Sequence, residues 1–115
     1  DVSAALTAPG VRTVLTGEDV RRWAAPFVVG VKAPMEHWCL AVDKVRYTGE
    51  PVALVVAEDR YLAEDAADLV RVDYEPVPVA VEIAQAIADG APLLHEAVGS
   101  NVLSDRSFVY GDPDG

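Results

Sequence analysis

A mixed α/β fold, a small sheet with helices packed on it, is predicted by three observations. Residues 52–57 (VALVVA) are apolar without a break, as in a strand buried on both faces of a helix-covered sheet. Residues 60–69 carry Leu62, Ala66 and Leu69 at i, i+4 and i+7, a single inward stripe on a helix. Residues 70–75 (VRVDYE) alternate Val70, Val72 and Tyr74 with Arg71, Asp73 and Glu75, the period of a half-buried strand. Strand, helix and strand in that order predict a β-α-β unit.

The remaining elements follow in chain order. Asp1 is placed to cap a short helix over 3–8, which Pro9-Gly10 ends. The β-branched run 11–15 (VRTVL) predicts a strand. Thr16 then reads as an N-cap, with Asp19 three residues on as a shorter version of the capping-box Glu. The helix behind it, through Val20 and Trp23, stops before Pro26. Residues 24–40 mix proline, glycine and aromatics without a period and predict an irregular connection with at most a short strand.

Residues 42–47 predict a strand leading into the turn Thr48-Gly49-Glu50-Pro51, where Gly49 supplies a positive φ. Pro51, lacking an N–H, belongs at the start of the next strand and not within it. Asp59 is the cap of the 60–69 helix, whose outer face carries Glu64, Asp65 and Asp68. Pro76 and Pro78 end the strand that follows. A further short helix is predicted over 82–88, with Ile83 and Ile87 inward and Gly90 just past its end. Beyond residue 91 the chain is loop-rich, with one candidate strand near Phe108.

A length of 115 residues suits one domain, 1–115, with one core, and 51% hydrophobic residues are enough to build it. Nine basic against 19 acidic residues give a formal charge of −10, a surface that repels nucleic acid and anionic lipid. The acidic balance is that of an ordinary cytoplasmic protein. The single cysteine, Cys39, excludes an internal disulfide. No apolar run approaches the ~20 residues that a membrane-spanning helix requires. The chain opens on DVSAAL without a methionine and closes on GDPDG, which predicts a piece of a longer polypeptide.

Residues equipped for chemistry are few. Glu36, His37 and Cys39 lie close together, but three donors in an irregular loop lack a second cluster at zinc spacing. Packing of His37 and Trp38, with Cys39 as a small apolar filler, is the simpler expectation. His95 has Glu96 beside it, but no serine or cysteine nucleophile at a telling distance, and reads as a loop or capping histidine. Trp38 and Leu40 flanking Cys39 predict burial and low thiol reactivity. No glycine-rich phosphate loop occurs. The acidic helix face reads as solvated, since paired catalytic acids work when desolvated across a cleft.

Three stretches carry a resemblance: 8–20 (APGVRTVLTGEDV), 40–87, which contains KVRYTGEPVALVVAEDRYLAEDAADLV, and 90–102 (GAPLLHEAVGSNV). They closely resemble the α/β hammerhead domain of molybdenum hydroxylase large subunits, the aldehyde oxidase and xanthine dehydrogenase family. Among its branches, the aerobic carbon monoxide dehydrogenase large chains look nearest.

The resemblance implies a parent oxidoreductase with molybdenum on a molybdopterin cytosine dinucleotide. It also implies iron–sulfur clusters and FAD on partner subunits or domains, and a small-molecule substrate. Such proteins carry one or more strands before the DVSAAL position. Their molybdopterin loops and their active-site glutamine and glutamate lie downstream of the hammerhead. The resemblance therefore assigns no catalytic, cofactor-binding or metal-binding residue within 1–115, and it implies that this piece alone is inactive. Two other functions stay open on the residues themselves: a free-standing acidic binding or assembly module with this fold, and a small hydrolase built on His95 or Cys39.

Overall fold

The computed structural model describes residues 1–28 and 35–112, which fall into two units, Asp1–Phe27 with Glu36–Val77 and Val28–Met35 with Pro78–Gly115. In the first unit, α1 (Ser3–Leu6) starts where the Asp1 carboxylate accepts the Ser3 N–H at 2.9 Å. Gly10, at φ +73°, turns the chain into β1 (Val11–Thr16). Leu62 lies over Gly10 so closely that an added Cβ would stand 2.5 Å from its Cδ1. Positive φ and close packing thus fall on one residue, and glycine satisfies both.

Strand β1 runs directly into α2 (Gly17–Trp23). Asp19 reaches back so that its Oδ2 accepts both the backbone N–H and the hydroxyl of Thr16, each at 2.9 Å. The shorter carboxylate therefore does the work expected of glutamate in a capping box. At Gly17 a Cβ would sit 1.9 Å from the carbonyl oxygen of Ala41, so only glycine lets these two backbone segments pass.

The sheet of this unit has two strands, β1 and β4 (Ala53–Ala57), paired antiparallel with Val14 opposite Val55 and Leu15 opposite Leu54. A bulge between Val11 and Thr13 turns Arg12 outward, where its Nη2 meets Glu58 Oε1 at 2.8 Å. Both α1 and α3 (Arg60–Ala67) pack on the strands and on each other. The core is Ala5, Val14, Val20, Leu40 and Ala66. Asp59 caps α3 as expected, its Oδ1 accepting the Leu62 N–H at 2.9 Å.

Several expectations change. Strand β4 is not buried on both faces: Leu54 is 50% exposed and Val56 40%, because helices cover one side only. Residues 42–47 form no strand. There the Asp43 carboxylate takes the Lys44 N–H at 2.8 Å and the Glu50 carboxylate takes the Arg46 N–H. Local side chains thus hold the donors that a ladder would need.

Residues 70–75 form no strand either, so the predicted β-α-β unit reduces to β4 and α3. Their one rung is a reciprocal pair, in which the Asp1 nitrogen donates to Arg71 O at 2.6 Å and the Arg71 N–H donates to Asp1 O at 3.0 Å. Helix α3 ends at Ala67, and Leu69, beyond it, is 43% exposed instead of completing the inward stripe. Within 24–40 there are two strands of two residues each, β2 (Phe27–Val28) and β3 (Glu36–His37); the stretch 29–34 of that expected connection lies outside the described residues.

In the second unit, α4 (Ile83–Ala86) is shorter than the predicted 82–88, and Ile83 and Ile87 point outward, 81% and 63% exposed. Gly90, at φ +75°, follows as expected. A 3₁₀ turn spans Glu96–Val98. No strand forms near Phe108. Asn101 ties this unit together: its Oδ1 accepts the Leu94 N–H, and its Nδ2 donates to Ala86 O and Pro92 O, all within 2.9–3.0 Å.

Candidate functional site

The densest polar arrangement in the first unit is the corner before β4. Arg46 donates from Nη1 to Lys44 O and from Nη2 to Asp43 Oδ1, both at 3.2 Å, and its Nε is buried without a hydrogen-bond partner among the described residues. Its side chain is only 17% exposed. Burial pushes the Asp43 carboxyl up, but the Arg46 guanidinium and the backbone N–H groups of Lys44 and Asp43 outweigh it, and the carboxyl sits below its ordinary range. With Glu50 on the Arg46 N–H, the corner is a clamp on the turn at Gly49, which has φ +89°. Its cation faces inward onto its own backbone and its acids are engaged, so it fixes the entry to β4 and offers no free acid or base. Sequence reading missed it, although the Asp43, Arg46, Glu50 spacing at i, i+3 and i+7 was a visible signal.

The candidates named from sequence do not converge. Glu36 accepts a bond from Trp38 Nε1 at 3.1 Å, and His37 is exposed on β3. Cys39 is exposed, not buried as its neighbours predict: Leu40 takes the core position and the thiol falls on the other side. Among the described residues no three histidine, cysteine, aspartate or glutamate side chains are grouped as a metal site. His95 precedes the 3₁₀ turn and its carbonyl accepts the Val98 N–H at 3.0 Å, a loop role. On α3, Glu64 meets Arg60 Nε at 2.7 Å on a solvated face. No helix among the described residues is long and apolar enough to cross a membrane.

Anion binding meets the same obstacle. A pyrophosphate seeks the free N–H groups at a helix N-terminus. At α2 and α3 those ends are held by the Asp19 and Asp59 carboxylates, whose negative charge opposes a phosphate. Backbone and hydroxyl bonds from Thr16, aided by Arg22, hold Asp19 below the ordinary carboxylate range, so it stays ionised. These two helix ends therefore do not fit a pterin dinucleotide.

Comparison with known proteins gives consistent matches. Residues 1–78 match the family described as aldehyde oxidase and xanthine dehydrogenase, a/b hammerhead domain. The chain is 43% identical, over 99% of its length and 15% of the relative's, to the 6-hydroxypseudooxynicotine dehydrogenase complex subunit gamma of Paenarthrobacter nicotinovorans. It is 42% identical to the carbon monoxide dehydrogenase large chain of Afipia carboxidovorans, covering 85% of this chain and 12% of that one. Quinoline 2-oxidoreductase from Pseudomonas putida 86 superposes with a TM-score of 0.82 at 35% identity, over 90% of this chain and 14% of the other. The chain thus spans 12–15% of the length of these curated relatives.

Proposed function

We propose a scaffolding role for this chain, which belongs to the aldehyde oxidase and xanthine dehydrogenase family as its a/b hammerhead domain. On this reading it is one domain of a several-fold longer large subunit, lacking one or more strands before Asp1 and the molybdopterin-binding domains after Gly115. The parent is a molybdenum-dependent oxidoreductase acting on a small molecule, with iron–sulfur and FAD partners. The cofactor, on a pterin cytosine dinucleotide, is bound by those other domains; the hammerhead packs beside them and shapes their support.

One observation carries this reading. Apart from surface ion pairs such as Arg12–Glu58 and Arg60–Glu64, the polar side chains with close contacts serve the fold's own backbone: Asp19 and Asp59 on helix ends, the Asp43–Arg46–Glu50 clamp on a turn. Meanwhile Val79, Val81 and Ile83 stand 73–81% exposed. Apolar side chains left open in this way suit a segment that completes its burial against further polypeptide.

The test compares the full-length gene product with the 115-residue chain. A subunit several-fold longer, carrying stoichiometric molybdenum and dehydrogenase turnover that Cys39→Ala and His95→Ala leave unchanged, is the expected result. A short metal-free product supports a free-standing acidic module instead. Turnover, or a pterin retained after dialysis, in the 115-residue chain alone would overturn the scaffolding role.

A further inference from the structure

The turn after α4 carries two reactive groups that no other described residue holds. The Ala91 N–H donates to Ala88 O at 3.1 Å, which closes a tight turn with Asp89 and Gly90 at its centre. Gly90 has φ +75°, and a Cβ built on it would meet nothing within 4 Å. Asp89 is exposed. Its carboxylate makes no hydrogen bond or ion pair with another described residue, and the Gly90 N–H donates to none.

A free side-chain carboxyl next to a free, unhindered amide is what aspartate isomerisation requires. The amide nitrogen attacks the side-chain carboxyl carbon, a C–N bond forms, and the hydroxyl leaves as water with the amide proton. The product is a five-membered succinimide. Water then opens the ring. Breaking the new C–N bond restores aspartate, whereas breaking the original peptide C–N bond routes the chain through the side chain as isoaspartate. Atoms balance, and water is the only co-reactant. Glycine favours the attack because it has no side chain to crowd the nitrogen.

Other described aspartates lack one condition or both. The carboxylates of Asp1, Asp19, Asp43 and Asp59 each accept a backbone N–H. Asp65, Asp68, Asp73 and Asp105 precede residues with side chains, and Asp112 precedes a proline, which has no N–H. The second Asp-Gly pair, 114–115, lies outside the described residues.

We propose that Asp89–Gly90 is a site of spontaneous aspartate-to-isoaspartate conversion, with Asn101 as the brake on it. Ring closure requires rotation about the Asp89 Cα–C bond, and a closed turn restrains that rotation. The Asn101 Nδ2 spans the turn, donating to Ala86 O at 2.9 Å and to Pro92 O at 3.0 Å. The fold thus exposes the two groups and slows their meeting. Isoaspartate adds one methylene to the main chain between those carbonyls, so the product no longer matches the span that Asn101 bridges. It also leaves a free α-carboxylate in an exposed turn, the mark by which this modification is recognised.

The full-length gene product, held at neutral pH over weeks and sampled, tests both parts. Samples are digested with an endoproteinase that cuts before aspartate but not before isoaspartate. The cut at Asp89 is expected to be lost progressively, while those at Asp73 and Asp105 stay complete. Electron-transfer fragmentation of the tryptic peptide 72–106 then places the isoaspartate at 89. Asp89→Glu, whose longer side chain does not form the five-membered ring, gives no signal. Asn101→Ala releases the turn and speeds conversion roughly tenfold. Should that variant unfold, Asn101→Asp, which keeps an acceptor for the Leu94 N–H and loses only the two Nδ2 donations, gives the same acceleration.

A cut at Asp89 as complete as those at Asp73 and Asp105 throughout would overturn the site. Conversion at one rate in the unmodified protein and in the Asn101 variants would overturn the brake.

Discussion

The unit of residues 1–27 and 36–77 and the stretch 78–112 are built from similar apolar material and organised in opposite ways. The first has Ala5, Val14, Val20, Leu40 and Ala66 buried at 9% exposure or less, gathered by strand, helix and bulge. In the second, none of the described residues reaches that burial, and Val79, Val81, Ile83, Ile87, Phe108, Val109 and Tyr110 are 63–87% exposed. Hydrophobicity therefore does not by itself make a core. A core needs two surfaces whose geometry lets them cover each other, and β1, β4, α1 and α3 supply them in the first unit. In the second, the side chain of Asn101 on three backbone groups substitutes for packing.

This contrast breaks most directly at Gly17. A Cβ 1.9 Å from the Ala41 carbonyl oxygen forces backbone apart, so Gly17→Ala is expected to destabilise by about 4 kcal/mol in urea unfolding. Leu40→Ala, at a position 6% exposed, should cost about 3 kcal/mol by transfer and cavity together. The matched truncation Ile83→Ala, at 81% exposure, should change the same midpoint by no more than about 0.5 kcal/mol. Comparable costs for Leu40→Ala and Ile83→Ala would erase the distinction between the two regions.

Asn101→Ala sharpens it. The Leu94 amide and the Ala86 and Pro92 carbonyls lose their partner together, an expected local loss of about 1–2 kcal/mol. Faster exchange at Leu94, with the β1 and β4 amides unchanged, is the outcome that fits two separately held regions. The smallest effect is a pH dependence at Asp19. Its pKa is lowered in the folded chain, so its contribution is complete above the ordinary carboxylate value and is lost as pH falls through the lowered one. The stability gap between the protein and Asp19→Asn should therefore be present at neutral pH and close in acid.

Parts of this molecule were legible because they depend on neighbours in sequence. Thr16 with Asp19, Asp59 with Leu62, and the glycine at 49 are local devices, and each forms as its residue types require. The exposure of Cys39, expected to be buried, was not legible. Which side of the chain turns inward after Trp38 depends on where Leu40 packs. The Asp43, Arg46, Glu50 spacing hinted at the corner, but its closing partners, Lys44 O and the Arg46 N–H, are backbone atoms that the spacing does not specify.

The sequence alone determined the caps, the turns, the β4–α3 succession and the family, since these are properties of short contiguous strings or of the string as a whole. Only the tertiary structure decided that β4 pairs with β1 and not with 70–75, that Leu54 and Val56 face outward, and that VRVDYE runs beside a single residue, Asp1. An alternating pattern states that a segment can be a strand. Whether it becomes one depends on another segment presenting donors and acceptors at the right spacing, and that is a relation between distant parts of the chain.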